Sequence, residues 1–201
     1  VPMNVDYWYM NLTGTDYTDA RLAVANIEDV PAKFHLVQNY DYRDIEFYSV
    51  RRSDVNWAGL CQYAYSGSYF VWVKIYINDY YTDSYSQQKR QSVVAHELGH
   101  GLGLDHEVGP VLMNSNINHY DDDKICVAVW DDVRGLQYLY STSTTTAQPY
   151  NYKSANGHVQ YGGTNGYPEH IWVSPSGANQ YAVVYDGSTS LPLSGTLTMY
   201  G

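Results

Sequence analysis

The chain has 201 residues, a formal net charge of −10 and 44% hydrophobic residues. An acidic chain without a basic stripe lacks the charges that nucleic-acid binding requires, so no nucleic-acid partner is expected. The apolar residues are too interrupted for a membrane span. A signal peptide is not expected, because the sequence has no positively charged start followed by an apolar stretch. We expect a globular protein with one sizeable core and a small second module.

Predicted strands and helices alternate over the first 140 residues. The predicted elements, in chain order, are a strand at 4–12, a helix at 18–30, strands at 45–50, 59–65 and 69–78, and helices at 86–101 and 131–140. Pro31 ends the first helix, and the strand at 69–78 alternates regularly between its two faces. This order predicts a mixed, mostly parallel sheet that helices cover.

The composition changes near residue 141. Residues 141–201 contain only three charged side chains, those of Lys153, Glu169 and Asp186. The small polar run at 141–149 is typical of a linker. We therefore predict a first domain at 1–140, a linker at 141–149 and a small β-rich module of unknown role at 150–201.

The segment 96–106 contains three histidines and a glutamate at spacings that suit a hydrolytic zinc site. His96 and His100 are four residues apart, so a helix places both imidazoles on one face, within reach of one ion. Gly103 lacks a Cβ and permits a left-handed turn that ends the helix, which lets His106 return as a third ligand. Three protein ligands leave a fourth position for water, as in catalytic rather than structural zinc sites.

Glu97 follows the first predicted ligand and is the candidate general base for the attacking water. A His-Glu-x-x-His pair can also arise by chance on the solvated face of an amphipathic helix. The added Gly103 and His106 argue against that interpretation, and so does Met113, seven residues beyond the third histidine. Alone, Met113 would be ordinary core filler. In this position it predicts a Met-turn beneath the zinc site.

These residues resemble the metzincin clan of zinc endopeptidases. The segment Trp130-Asp-Asp-Val-Arg-Gly-Leu-Gln-Tyr-Leu-Tyr140 is similar to the matrixin pattern, in which paired aspartates begin the last helix and Leu-Tyr ends it. The order of elements over 1–140 is also similar to a matrixin catalytic domain. The resemblance implies a metzincin (zincin-like) domain of the mixed α/β (α+β) class, with a twisted, mostly parallel five-stranded sheet and three helices.

The chain departs from the matrixin pattern in several places. Glu107 after the third histidine resembles the astacin pattern, but Ser115 stands where astacins have a tyrosine. An astacin-type switching tyrosine is therefore not supported, and Tyr120 is a weaker candidate to approach the site. Residues 63–92 contain no histidine, so we expect the second, structural zinc of matrixins to be absent.

The resemblance and the residue chemistry both imply zinc-dependent hydrolysis of peptide bonds, by an endopeptidase acting on protein or peptide substrates. His96, His100 and His106 would hold one catalytic zinc, and Glu97 would act first as general base and then as general acid. By family analogy, the strand at 59–65 would form the cleft edge and hold an extended substrate. The alternative is a zinc-binding, non-hydrolytic adhesin or surface-binding protein on the same scaffold, and the intact Glu97 argues against it.

Cys61 and Cys126 either form a disulfide, remain as two buried free thiols, or act as soft zinc ligands. No Cys-x-x-Cys pattern is present and the histidines already supply a ligand set. We therefore favour a disulfide, and with it an oxidising, extracellular compartment into which the protein is secreted. We also expect a monomer. Calcium is a further candidate ligand, at the Asp-rich 121–123 or at Asp79 and Asp83, although such charge clusters are more often solvated surface.

Overall fold

A computed structural model of the chain describes residues 2–12, 14–67, 69–116, 120–121 and 124–140, and the backbone alone of 158–162, 168–173 and 182–185. The chain separates into two compact units, Val1–Ser143 and Thr144–Gly201. The predicted linker at 141–149 lies outside the described residues. No helix in the described part of the chain combines the length and the hydropathy needed to cross a membrane.

Five strands of the first unit form one sheet. They are β1 Met3–Asn11, β2 Phe34–Gln38, β3 Ile45–Val50, β4 Gly59–Ser66 and β5 Tyr69–Asn78. Their order across the sheet is β2-β1-β3-β5-β4. Neighbouring strands are parallel except at one edge, where β4 is antiparallel to β5. The mostly parallel five-stranded sheet that the resemblance implies is confirmed.

The described helices of this unit are α1 Gly14–Glu28, α2 Asp79–Thr82, α3 Gln87–Gly101 and α4 Trp130–Tyr140. The three longer helices match the three expected ones, and α3 begins where the side chain of Ser86 accepts a hydrogen bond from the N–H of Lys89. The sequence did not predict β2 or α2. Both are too short to show a period, since β2 has five residues and α2 is a single turn capped by Asn78.

The core lies between one face of the sheet and helices α1 and α3. The parallel register places Ile45 beside Val73 and Phe47 beside Ile75, and all four side chains are buried on the same face. Helix α3 packs against α1 on one side and against β4 and β5 on the other. It is therefore the central helix of the unit, and every residue from 91 to 99 is buried.

A buried ion pair joins α1 to the start of α3. Arg90 Nε donates to Asp19 Oδ2 at 2.6 Å, and Arg90 Nη1 donates to the carbonyl of Tyr85 at 2.7 Å. Asp19 is only 1% exposed, and burial raises the pKa of its carboxyl group against the opposing effect of Arg90. The charge of Asp19 is therefore tolerated because the guanidinium lies beside it.

The predicted disulfide is wrong, because Cys61 and Cys126 are both free thiols. Cys61 lies on β4 beside Glu97, whereas the carbonyl of Cys126 accepts a hydrogen bond from Gln91 Nε2. Six residues of α3, or about 9 Å of helix rise, separate those two contacts. Disulfide-bonded cysteines have Cα atoms within about 7 Å of each other. Burial raises the pKa of both thiols to about 12, so both stay protonated. The extracellular location stays a prediction.

The second unit contains a three-stranded antiparallel sheet in the order β6-β7-β8. Its strands are β6 His158–Gly162, β7 Pro168–Val173 and β8 Ala182–Tyr185. The runs 169–173 and 180–186, which suggest short strands in the sequence, overlap β7 and β8. The role of the module stays unknown.

We predict that Arg90→Met lowers the free energy of unfolding by about 3 kcal/mol, because it leaves the carboxylate of Asp19 buried without its partner. Urea denaturation measures the change. Arg52→Met is the matched control, since Arg52 pairs with Asp54 in an exposed ion pair and its loss should leave the midpoint unchanged. Equal shifts in both variants would contradict a special role of the Arg90–Asp19 pair.

Candidate metal centre

Helix α3 places the first two predicted ligands one turn apart on the same face. The imidazole centroids of His96 and His100 are 4.7 Å apart. His96 is 9% exposed, His100 is half-buried, and His106 is exposed. The cluster therefore runs from the core to the surface, and its outer side is open to a molecule from solution.

Helix α3 ends in a Schellman turn that brings the third histidine back. Gly103 has a φ of 98°, in the left-handed region that glycine adopts without strain. Its N–H donates to the carbonyl of His100 at 2.9 Å, and the N–H of Leu104 donates to the carbonyl of Gly99 at 3.0 Å. These two bonds define the Schellman motif. The chain reverses here, as the sequence predicts, and His106 lies beside the two helical histidines.

The three imidazoles meet at their Nε2 atoms. His106 Nε2 lies 3.3 Å from His96 Nε2 and 3.1 Å from His100 Nε2. Three nitrogens that bind one tetrahedral ion at about 2.0–2.1 Å are about 3.3 Å from one another. Within the described residues, these three form the only His, Cys, Asp or Glu group that is compact enough to hold a metal ion. The donor set and its spacing fit zinc.

Two backbone carbonyls set which ring nitrogen faces the cluster. His96 Nδ1 donates to the carbonyl of Leu112 at 2.7 Å, and His100 Nδ1 donates to the carbonyl of Leu104 at 2.8 Å. Each ring then presents an unprotonated Nε2, which is the form that binds a metal. Burial also lowers the pKa of His100 and so favours its neutral form.

Glu97 is buried next to this cluster and contacts strand β4. It is 9% exposed, and its carboxyl group accepts a hydrogen bond from the backbone N–H of Cys61. Burial raises the pKa of Glu97 to about 8, against the opposing effect of that hydrogen bond. A carboxyl group with a pKa near neutrality can both accept and donate a proton, as general acid–base chemistry requires.

Met113 packs against the helix that carries His96 and His100. It is 2% exposed, and a Cβ at Gly99 would collide with its sulfur. Gly99 lies between His96 and His100 in the fourth turn of α3, so the absence of a side chain there lets Met113 approach the helix backbone. This position agrees with the Met-turn that the sequence predicts, although its role stays a prediction.

Asp132, in the first turn of α4, fixes the segment that contains Met113. Its two carboxyl oxygens accept hydrogen bonds from the N–H groups of Leu112, Met113 and Val129 at 3.0, 3.1 and 2.7 Å. Burial raises the pKa of Asp132 to about 6, although the three N–H donors oppose that rise. Since the carbonyl of Leu112 accepts a hydrogen bond from His96, Asp132 supports this first predicted ligand through one intervening peptide.

The other candidate residues do not join the site. Tyr120 donates to Gln88 Oε1 at 2.9 Å, at the start of α3, about 12 Å of helix rise before His96. Asp83 pairs with Arg51, and Asp79 bonds to Asp16, so these aspartates have other partners. Most of the 121–123 cluster lies outside the described residues. Calcium binding stays a prediction without structural support.

Four supporting residues escaped the sequence reasoning. Leu104 and Leu112 act through carbonyl groups, which carry no side-chain signal. The resemblance pointed to the aspartate pair that begins α4, but the sequence did not show that Asp132 reaches residues 112 and 113. Gly59, next to Glu97, is a single glycine at the start of a strand, and only the fold shows what it contacts.

Comparison with known sequences agrees with this geometry. The sequence profile of the family described as Matrixin matches residues 28–141. The chain is also similar to human matrix metalloproteinase-15, with 39% identity over 57 residues. That alignment covers 28% of this chain and 8% of the human protein, so the chain spans a small part of that relative.

We predict that Asp132→Asn lowers the free energy of unfolding by about 1–3 kcal/mol, because an amide offers one acceptor oxygen and turns an N–H toward a backbone donor. Zinc affinity should also fall by about tenfold or more, since His96 is held less firmly. Chemical denaturation and competition with a chromophoric chelator measure the two effects.

Asp131→Asn is the control, because it removes the same charge from the same turn at a half-exposed position. If Asp132 acts by holding residues 112 and 113, the losses of stability and of zinc affinity should be larger for Asp132→Asn than for Asp131→Asn. The same loss in both variants would instead indicate a general effect of charge at the start of α4.

Proposed function

Because the chain belongs to the matrixin family, we propose that it is a zinc-dependent endopeptidase, which hydrolyses peptide bonds within proteins. The observation that supports this most strongly is the convergence of three histidine Nε2 atoms beside a buried glutamate. A binding protein needs only the histidines. A hydrolase also needs a proton acceptor, and Glu97 is positioned to be one.

His96, His100 and His106 would hold the zinc ion, with the fourth position left for water or substrate. When bound by three neutral imidazoles, zinc lowers the pKa of a water ligand toward neutrality and polarises a carbonyl group. The hydrogen bonds to the carbonyls of Leu104 and Leu112 keep two of the rings in the required tautomer.

Glu97 would accept a proton from the attacking water and donate it to the leaving amine. Both transfers need a carboxyl group that is held in place and changes protonation state easily near neutral pH. Its burial and its hydrogen bond from Cys61 support this role. The proton that Glu97 takes from the water is the one that it gives to the departing amine, so Glu97 returns to its starting form within one turnover.

Strand β4 would bind the substrate. Among the described strands it is the last in the sheet and pairs only with β5. On its other side the N–H of Cys61 donates to Glu97, and no described strand pairs with the rest of that edge. A free edge accepts an extended peptide as an additional strand through main-chain hydrogen bonds. This binding mode depends little on side chains, and the substrate's identity would be determined elsewhere in the cleft.

We predict that His106→Ala abolishes stoichiometric zinc binding at micromolar metal, because two imidazoles alone bind zinc far more weakly than three. Elemental analysis after dialysis measures the stoichiometry. Zinc should also raise the melting temperature of the unaltered protein, because it binds the folded state. His35→Ala, which removes an exposed histidine, is the control and should retain one zinc per chain. One zinc per chain in the His106 variant would contradict the proposed ligand set.

We predict that Glu97→Gln retains zinc but lowers kcat for casein cleavage by about 10²–10⁴-fold, since the amide cannot take up the proton. The control is Glu107→Gln, which also follows a proposed ligand but is exposed. Undiminished turnover in the Glu97 variant would rule out the proposed acid–base role. Zinc binding without cleavage by the unaltered protein, over a broad peptide library, would favour the non-hydrolytic alternative.

A further inference from the structure

Strand β4 passes very close to helix α3 at Gly59. A Cβ on Gly59 would lie 2.6 Å from Val93 Cγ1 and 2.7 Å from both Cγ and Oε1 of Glu97. Carbon atoms that are not bonded do not approach this closely. Val93 and Glu97 are one turn apart on α3, so both face this part of the strand. A side chain at position 59 would therefore displace the Glu97 side chain.

The same stretch of β4 also donates a hydrogen bond to the carboxyl group of Glu97. The backbone N–H of Cys61, two residues beyond Gly59, donates to the Glu97 carboxyl group. The carbonyl of Ala58 accepts from the N–H of Asn78 at 2.8 Å, so residue 58 faces β5. Since backbone groups alternate in direction along a strand, residues 59 and 61 face away from β5. The Cβ directions of residues 59 and 61 share one face of the sheet. The open space at Gly59 and the N–H of Cys61 both lie next to the Glu97 side chain.

We propose that Gly59 and the backbone N–H of Cys61 form a socket that holds the Glu97 carboxyl group in its working position. This inference rests on the proposed hydrolytic function and makes Gly59 a positioning residue for it. A glutamate side chain has several rotatable bonds, and a general base works only when held in one geometry. The socket restricts Glu97 by the close contact at Gly59 and by the hydrogen bond from the N–H of Cys61.

Gly59 also contacts Val93, so a simple substitution would mix two effects. The clash of a new Cβ with Val93 Cγ1 concerns packing alone. Val93→Ala removes that clash and leaves the one with Glu97. All comparisons should therefore be made between the Val93→Ala protein and the same protein with Gly59→Ala added.

We expect Gly59→Ala, added to Val93→Ala, to lower kcat by about tenfold to a hundredfold, because the base is misplaced by about 1 Å. KM for a peptide substrate and the zinc stoichiometry should stay the same, since neither the histidines nor the free edge of β4 changes. An unchanged kcat would overturn the inference. A purely structural role would change zinc content and KM together with kcat.

A cycle on the zinc-free protein tests the contact without using activity. Gly59→Ala should lower the urea midpoint when residue 97 is Glu and have a smaller effect in the Glu97→Ala background, because the colliding atoms are absent there. The same loss in both backgrounds would overturn the inference. If the unaltered zinc protein cleaves no peptide, the proposed function fails, whereas this cycle still decides whether the socket exists.

Discussion

The site depends on three imidazole nitrogens that are held together with their lone pairs facing one another. The Nε2 atom of His106 lies 3.1–3.3 Å from those of the two helical histidines. Without fixed orientations, neutral rings would turn away from such an arrangement, and the carbonyls of Leu104 and Leu112 prevent this for two of them. The carbonyls lie on the segment that follows α3, so the conformation of residues 102–113 determines whether the ligands converge.

Helix α4 stabilises that segment at two points. Asp132 accepts the N–H groups of residues 112 and 113, and Gly135 lies so close to Leu104 that a Cβ would be 2.5 Å from Leu104 Cδ2. One contact therefore supports the peptide that holds His96, and the other supports the residue whose carbonyl holds His100. The paired aspartates at the start of α4 complement the helix dipole, and Asp132 also holds the segment next to the candidate metal centre.

Local periodicity explains what the sequence could predict. The four-residue spacing of His96 and His100, the glycine at 103 and the alternation of β5 are each short-range patterns, and the structure contains the corresponding helix, turn and strand. The short β2 and α2 were missed because they have no period. The predicted disulfide was wrong because the cysteine pattern of the sequence says nothing about where β4 and residue 126 lie relative to α3. Asp132 and Gly59 act across long sequence separations, which no local pattern encodes.

Strand β4 has two tasks in the proposed reaction. Its contacts with α3 at Gly59 and Cys61 would position the base, and its free edge would bind the substrate backbone. A substrate that adds to this edge also stiffens the strand, because an edge strand gains a second row of hydrogen bonds. The proposed substrate edge and the contacts with Glu97 then lie on the same few peptides of β4. These contacts leave no signal in the side chains of β4, since the donor is the backbone N–H of Cys61 and the open space is the missing Cβ of Gly59.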